Sequence, residues 1–276
     1  MEKQALTIDV EDYFQVSAFA DRVDIDDWSS IAPRVEENTN RLLDLFDLHK
    51  AKATFFVLGW VAERFPNLVK RIVADGHELA SHGMMHQRAS DQTHEVFQAD
   101  VGDAKRLLED IAGAEVKGYR APSFSFTKSN LWVYDVLKEE GYHYSSSVYP
   151  IVHDHYGIPD APRERHKTAA GIDEIPLSTM TVMGKNVPIS GGGYFRLYPY
   201  FLSRWSINRF ANKENYPYIF YLHPWEIDPE QPPMENISAK TRFRHYLNLS
   251  RTKKRLTSLL SDFQWSSMAE LYGYNR

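Results

Sequence analysis

Through its first 150 residues the chain alternates strand-like with helix-like stretches, and that alternation narrows the available folds more than any other feature. ALTIDV (5–10), ATFFVLG (53–59), HELASH (77–82), KGYRAPS (117–123) and HYSSSVY (143–149) read as strands. Between them, 38–50, 61–76, 93–113 and 131–142 carry apolar residues at helical spacing, and the last three stop at Gly76, Gly113 and Gly141. Strands and helices at this pitch build parallel βαβ units, in an open sheet or a barrel. The pattern breaks after residue 150, where Pro, Gly and His crowd the chain up to 200. There DEIPLSTMTV (173–182) reads as a strand, and YIFYLHPWEI (218–227) reads as a buried strand running into a polar end. A last amphipathic helix covers roughly 241–261, with RTKKR (251–255) as its solvated face. With no internal repeat, low-complexity tract or linker, 1–276 is expected to form one domain with a C-terminal helical extension from about 241.

Parallel α/β folds gather their chemistry at the C-terminal ends of strands, where the loops converge on one face. Four segments place polar side chains there: Asp9-Val10-Glu11-Asp12, His82 to His86, Arg120-Ala121-Pro122 and His223-Pro224-Trp225-Glu226. In SHGMMH the histidines are four apart, which brings both imidazoles to one face of a helix beginning there and suits two ligands of one metal. HxxxH alone is a weak signal in a chain with 11 histidines, and two surface histidines are its bland reading. A carboxylate from a neighbouring strand end would complete a two-His, one-carboxylate set with positions left for water and substrate. Asp9 and Glu11 stand on one side of their strand and Val10 on the other, so one carboxylate can bind metal while the other stays free as a base. A helix cap or a solvated acidic turn is the alternative for that stretch.

Arg120, stiffened by Pro122, is either a surface arginine or a fixed guanidinium that holds a buried carboxylate ionised and aimed. His223 follows the apolar YIFYL and is either a satisfied core histidine or a general acid. SGGGYFRLYPY (190–200) is a turn, or a loop whose glycines let backbone approach a sugar that Tyr194, Phe195 and Arg196 touch. HDHYG (153–157) is a solvated loop or a further source of metal ligands.

Composition excludes several function classes. Without cysteine there are no disulfides, thiolate metal sites or cysteine nucleophiles, so any metal must sit on His, Asp or Glu. A formal net charge of −5 offers no basic excess for phosphates, so nucleic acid is not an expected partner. No apolar run approaches the roughly 18 residues of a membrane span. No basic flank followed by a long apolar stretch opens the chain, so a cytoplasmic location is expected.

In order, the acidic cluster, His-x-x-x-His, Arg-x-Pro and Leu-His-Pro resemble the motif series of the NodB-type polysaccharide deacetylases, carbohydrate esterase family 4. DVEDYFQV, YRAPSFS, GGGYFRLYPY and YLHPWEIDPEQP look more narrowly like the deacetylases of exosortase/PEP-CTERM exopolysaccharide clusters, and the resemblance covers nearly the whole chain. It implies an α/β fold, a distorted (β/α) barrel with fewer than eight strands, and one divalent metal, commonly zinc. The implied reaction removes N-acetyl groups from sugar residues of a polysaccharide or oligosaccharide. Carried over, Asp9 would be the base, His82 and His86 metal ligands, Arg120 the residue that orients Asp9, and His223 the acid. Trp225 and Tyr194 would line the sugar groove. The family's usual pair of adjacent aspartates is split here by Val10, which makes Glu11 the third ligand with Asp12 as its alternative. The acid that supports the catalytic histidine has no clear match; Asp173 or Glu174 is the candidate. A metal-independent, allantoinase-like amidohydrolase and a non-catalytic carbohydrate-binding protein on the same fold are the competing readings.

Overall fold

The computed structural model describes residues 2–154 and 156–275; His155, in the HDHYG stretch, lies outside the described residues. The first half runs β1 (Gln4–Val10), α1 (Val35–Leu48), β2 (Thr54–Val57), α2 (Gly59–Arg64), α3 (Pro66–Ala74), β3 (Glu78–Ser81), α4 (His94–Ala112), β4 (Gly118–Tyr119), α5 (Val133–Glu139) and β5 (Tyr144–Ser145). The second half adds β6 (His166–Lys167), β7 (Asp173–Glu174), β8 (Thr179–Val182), β9 (Lys185–Pro188), α6 (Gly192–Leu197), α7 (Tyr200–Lys213), β10 (Ile219–Leu222), α8 (Ala239–Tyr246), α9 (Leu249–Asp262), β11 (Trp265–Ser266) and α10 (Met268–Tyr272).

One sheet takes the order β10-β1-β2-β3-β4-β5-β7-β6, with β11 pairing the start of β1. Every neighbour from β10 to β7 is parallel, and β6 closes the row antiparallel to β7. The eight strands of this row curl without closing, the distorted (β/α) barrel that the resemblance implies, with eight strands in the row where fewer than eight were expected. β8 and β9 form a separate hairpin.

Strand alternation decides what reaches the inside. Leu6, Ile8 and Val10 of β1, with Phe55 and Val57 of β2, pack in the larger core together with Leu42, Phe46, Val69 and Ile72 of α1 and α3. The opposite faces of β1 and β2, with β3, β5 and β10, supply Ala5, Phe56, Ala80, Tyr144, Ile219 and Tyr221 to a second, smaller cluster. Asp9 falls on the Ala5 side, so the period of two that buries β1 on both faces also aims Asp9 into the hollow of the sheet.

Several elements differ from the sequence expectation for physical reasons. The helix expected over 61–76 breaks at Phe65, because the ring of Pro66 disfavours a helical residue before it; the chain restarts as α3 with Pro66 in its first turn. The helix expected over 241–261 is two, α8 and α9, with Asn248 in the left-handed region (φ 55°) between them. The strand expected over 173–182 divides into β7 and the first strand of the hairpin. Helix α7 was not expected, since its outward face carries Phe201, Leu202 and Trp205 and so blurs the apolar period that marks a surface helix.

Candidate active site

All four polar strand ends converge at one mouth of the curled sheet. Asp9, Glu11, His82, His86, His223 and Trp225 line a cleft of about 550 Å³ there. Arg120 lies beneath it, fully buried.

Arg120 satisfies its fork with four bonds. Nη1 donates to Asp9 Oδ1 at 2.6 Å and to Thr7 Oγ1 at 2.8 Å, while Nε and Nη2 donate to the Ser146 carbonyl and hydroxyl, both at 3.0 Å. Its guanidinium lies 4.1 Å from the centre of the Phe56 ring. Asp9 is thus fixed by one oxygen, and Oδ2 is left 4.0 Å from His223 Nε2.

Glu11 lies beyond the end of β1 with two histidines around it. Oε2 is 2.5 Å from His86 Nε2 and 4.0 Å from His82 Nε2. Oε1 accepts from the Trp225 indole at 3.3 Å. Burial alone would raise the Glu11 carboxyl, but the charges of His86 and His223 reverse this and hold it well below the usual carboxylate range. His82 donates from Nδ1–H to the Arg120 carbonyl at 2.8 Å, since a carbonyl can only accept. Nε2 is therefore the lone-pair nitrogen that faces Glu11, as a ligand histidine requires. Burial also pushes the His82 imidazole down to about 4, against the pull of Asp9, so the ring is neutral near pH 7.

Two histidines and a carboxylate suit zinc and similar divalent ions. The ligand atoms of Glu11, His82 and His86 lie within 4.8 Å of one another, and all three residues are buried. A fully buried carboxylate oxygen and two imidazole nitrogens gathered on one point are the donor set that a shared divalent cation takes. The residues present fit the metal. Asp12, the alternative ligand, is spent elsewhere: Oδ2 accepts from the Arg34 and Val35 amides at 2.7 and 2.9 Å, capping α1, and Oδ1 accepts from the Tyr13 amide.

The helical-spacing argument for the histidines does not hold. Residues 82–86 form an irregular loop in which Gly83 (φ 78°) and His86 (φ 52°) both take left-handed backbone. The two imidazoles still meet, with ring centres 5.3 Å apart, because the loop doubles back instead of turning as a helix. A non-glycine residue in this region is strained, and such strain clusters at functional sites.

His223 follows β10. Its Nδ1–H donates to Glu226 Oε1 at 2.8 Å, and its Nε2 faces the cleft 3.5 Å from Glu11 Oε1. Burial alone would lower the His223 imidazole; the carboxylates of Glu11, Glu226 and Asp9 outweigh it and raise it to about 9. Burial would raise the Glu226 carboxyl, but Arg196 and His223 bring it down to about 2. The supporting acid is therefore Glu226, not Asp173 or Glu174. Asp173 pairs with Arg165, Lys167 and Tyr274, and Glu174 accepts from Tyr134 and the Ser147 and Val148 amides. The His-x-x-Glu spacing of HPWE was the available signal, because the short 3₁₀ turn Pro224–Ile227 folds the fourth residue back onto the first.

Two of the SGGG glycines make room for protein groups. A Cβ on Gly192 would stand 1.9 Å from Glu226 Oε1, and one on Gly191 (φ 100°) 2.4 Å from the Tyr221 ring, whereas one on Gly193 would meet nothing within 4 Å. Arg196 is buried as well, donating from Nε to Glu226 at 2.6 Å and from Nη1 to the His245 and Leu247 carbonyls. Gly192→Ala is expected to displace Glu226, lowering catalytic rate about 10- to 100-fold, the range for losing a residue that orients a site group. It should also destabilise by about 1–3 kcal/mol through overpacking. Gly193→Ala is the matched control and should leave both the rate and the unfolding midpoint unchanged.

Trp225 stacks between His223 and His245, with centres 5.3 and 4.3 Å away. Tyr194 is not on the cleft wall; Tyr156, whose ring it adjoins, takes that position with Phe124 and Tyr221. Ser238, Lys240, Thr241 and Arg244 of the α8 region also line the cleft.

Residues 24–145 match the family described as Polysaccharide deacetylase, and residues 146–273 match the Domain of unknown function DUF3473. A peptidoglycan-N-acetylglucosamine deacetylase of Bacillus cereus is 36% identical over 104 residues, 38% of this chain and 47% of that protein. A chitooligosaccharide deacetylase of Sinorhizobium fredii is 36% identical over 100 residues, 36% of this chain and 44% of that protein. The chain thus spans less than half the length of these relatives. Among solved structures, one assigned to a polysaccharide deacetylase from Mycobacterium smegmatis superposes with a TM-score of 0.62 at 20% identity, covering 98% of this chain and 88% of that one. A CE4 family pseudoenzyme from Bacillus anthracis superposes at 0.51 and 15% identity, over 98% of this chain and 66% of that one. These two likenesses speak for the fold alone.

Proposed function

The chain carries a polysaccharide deacetylase domain joined to DUF3473, a domain found in the exosortase-associated deacetylases, and from that premise we propose a metal-dependent hydrolase that removes N-acetyl groups from amino-sugar residues of an exopolysaccharide or its precursor. The observation that carries this reading is the Glu11–His82–His86 cluster, set between a carboxylate fixed by Arg120 and a histidine backed by Glu226. We also read 1–276 as one folding unit, because β10 and β11 both border β1.

Glu11, His82 and His86 would hold the ion. Bound there, a divalent cation contributes Lewis acidity toward an amide carbonyl and toward water. Asp9 takes a proton from the attacking water as its oxygen bonds the acetyl carbon. The C–N bond then breaks, and His223 delivers a proton from Nε2 to the leaving nitrogen, so the products are acetate and a free amine. Glu226 accepts from Nδ1–H and so favours the imidazolium that has this proton to give. Arg120 and Glu226 do not touch the substrate; they aim Asp9 and His223.

Metal content and acetate release from N-acetylglucosamine oligomers, measured before and after chelation, test the proposal. One ion per chain is expected, with release lost on chelation and restored by zinc, cobalt or manganese. Full activity in metal-free protein would sink the ligand assignment and favour the allantoinase-like amidohydrolase. A loaded protein inactive on chitin, peptidoglycan and exopolysaccharide oligomers alike would favour the carbohydrate-binding alternative.

A further inference from the structure

The deacetylase reading leaves α7 unused, and this helix presents an unusual outer face. Phe201, Leu202 and Trp205 are 67%, 40% and 53% exposed. Trp205 stands one turn beyond both neighbours, four residues after Phe201 and three after Leu202, so the three side chains share one side of the helix. The next turns of that face carry Arg209 and Lys213, and Arg209 reaches over the Trp205 ring at 5.7 Å. Single exposed apolar residues are ordinary on a protein surface, whereas two large aromatics and a leucine in one stripe are not.

Charge is segregated in the same place. The chain is net acidic, yet α7 carries Arg204, Arg209 and Lys213 and no acid. α9 adds Arg251, Lys253, Lys254 and Arg255, the RTKKR run, with no acid before Asp262. α9 lies against this part of the molecule: Arg255 donates to the Phe195, Arg196 and Tyr198 carbonyls just before α7, and Asp262 accepts from Tyr200 and pairs with Arg204 at 3.0 Å. No acid among the described residues pairs with Arg209 or Lys213.

We propose that the outer face of α7, with the basic flank of α9, is a docking surface for an anionic lipid bilayer. Aromatic and leucine side chains enter the headgroup boundary while Arg and Lys extend to the lipid phosphates, the arrangement of interfacial helices. Nucleic acid would account for the cations but not for the exposed Phe201 and Leu202. No helix among the described residues is long and apolar enough to cross a membrane, so the contact is peripheral. The inference stands apart from the deacetylase reading, and its test uses no enzymatic assay.

The full chain is sedimented with vesicles of phosphatidylcholine alone and with vesicles in which phosphatidylglycerol replaces about one third of the lipid. At least tenfold more protein should partition onto the anionic vesicles, and high salt should weaken it. Phe201→Ser/Trp205→Ser and, separately, Arg209→Glu/Lys213→Glu should each lower that partition about tenfold, with circular dichroism and unfolding midpoint unchanged. Equal partition onto both vesicle types, or variants that bind like the parent, would overturn the proposal. So would a protein that ignores vesicles but dimerises through Trp205, which would assign the face to a second copy of the chain.

Discussion

Asp9→Asn is expected to lower acetate release about 10²–10⁴-fold, the usual range for removing a general base. The substitution is nearly isosteric, and its amide oxygen can still accept from Arg120 Nη1, so the buried network keeps its shape. What disappears is the proton acceptor at Oδ2, on the side facing His223. Glu11, His82 and His86 are untouched, so metal content should stay at the parent level. Loss of kcat with unchanged metal stoichiometry separates the base from the ligands. A variant that keeps its rate within about threefold would remove Asp9 from the base role and leave Glu11 as the nearest carboxylate to reconsider.

Arg120→Met should produce the largest loss of stability of any single change at the site. The side chain is fully buried, and among the described residues its charge is paired by Asp9 alone, itself 2% exposed. Removing the guanidinium leaves a buried carboxylate without its partner, and breaking a buried pair in this way costs about 3–5 kcal/mol. At about 2–4 °C per kcal/mol for a chain near this size, the melting midpoint should fall by about 10 °C. Arg120→Lys should rescue little, because a point charge cannot reach the Asp9, Thr7 and Ser146 acceptors that the planar fork serves together. Combining Arg120→Met with Asp9→Asn should recover part of the loss, since the second change removes the stranded charge. Denaturant unfolding of the two single variants and the double variant measures this coupling; additive losses would mean that Arg120 stabilises by packing on Phe56 and not by pairing.

The sequence by itself determined those features whose physical cause is local. The period of two in ALTIDV places Leu6, Ile8 and Val10 on one face and Ala5, Thr7 and Asp9 on the other, because neighbouring side chains on a strand point opposite ways. Glycines at 76, 113 and 141 marked helix ends because few other residues adopt left-handed backbone cheaply. The parallel α/β architecture was legible from the same patterns, and with it the rule that sends polar strand ends to one mouth.

Only the tertiary structure decided between residues that are chemically alike. Glu11 and Asp12 are adjacent acids, and nothing local tells them apart. Asp12 is spent on the amides of Arg34 and Val35, more than 20 residues away, and Glu11 is the acid that meets His82 and His86. The histidines met through a strained loop, not through the helix that their spacing suggested. Gly192 was necessary for a carboxylate 34 residues downstream, which no reading of SGGG could reveal. Each of these choices rests on contacts made across the sheet, and such contacts exist only once distant parts of the chain have been packed against one another.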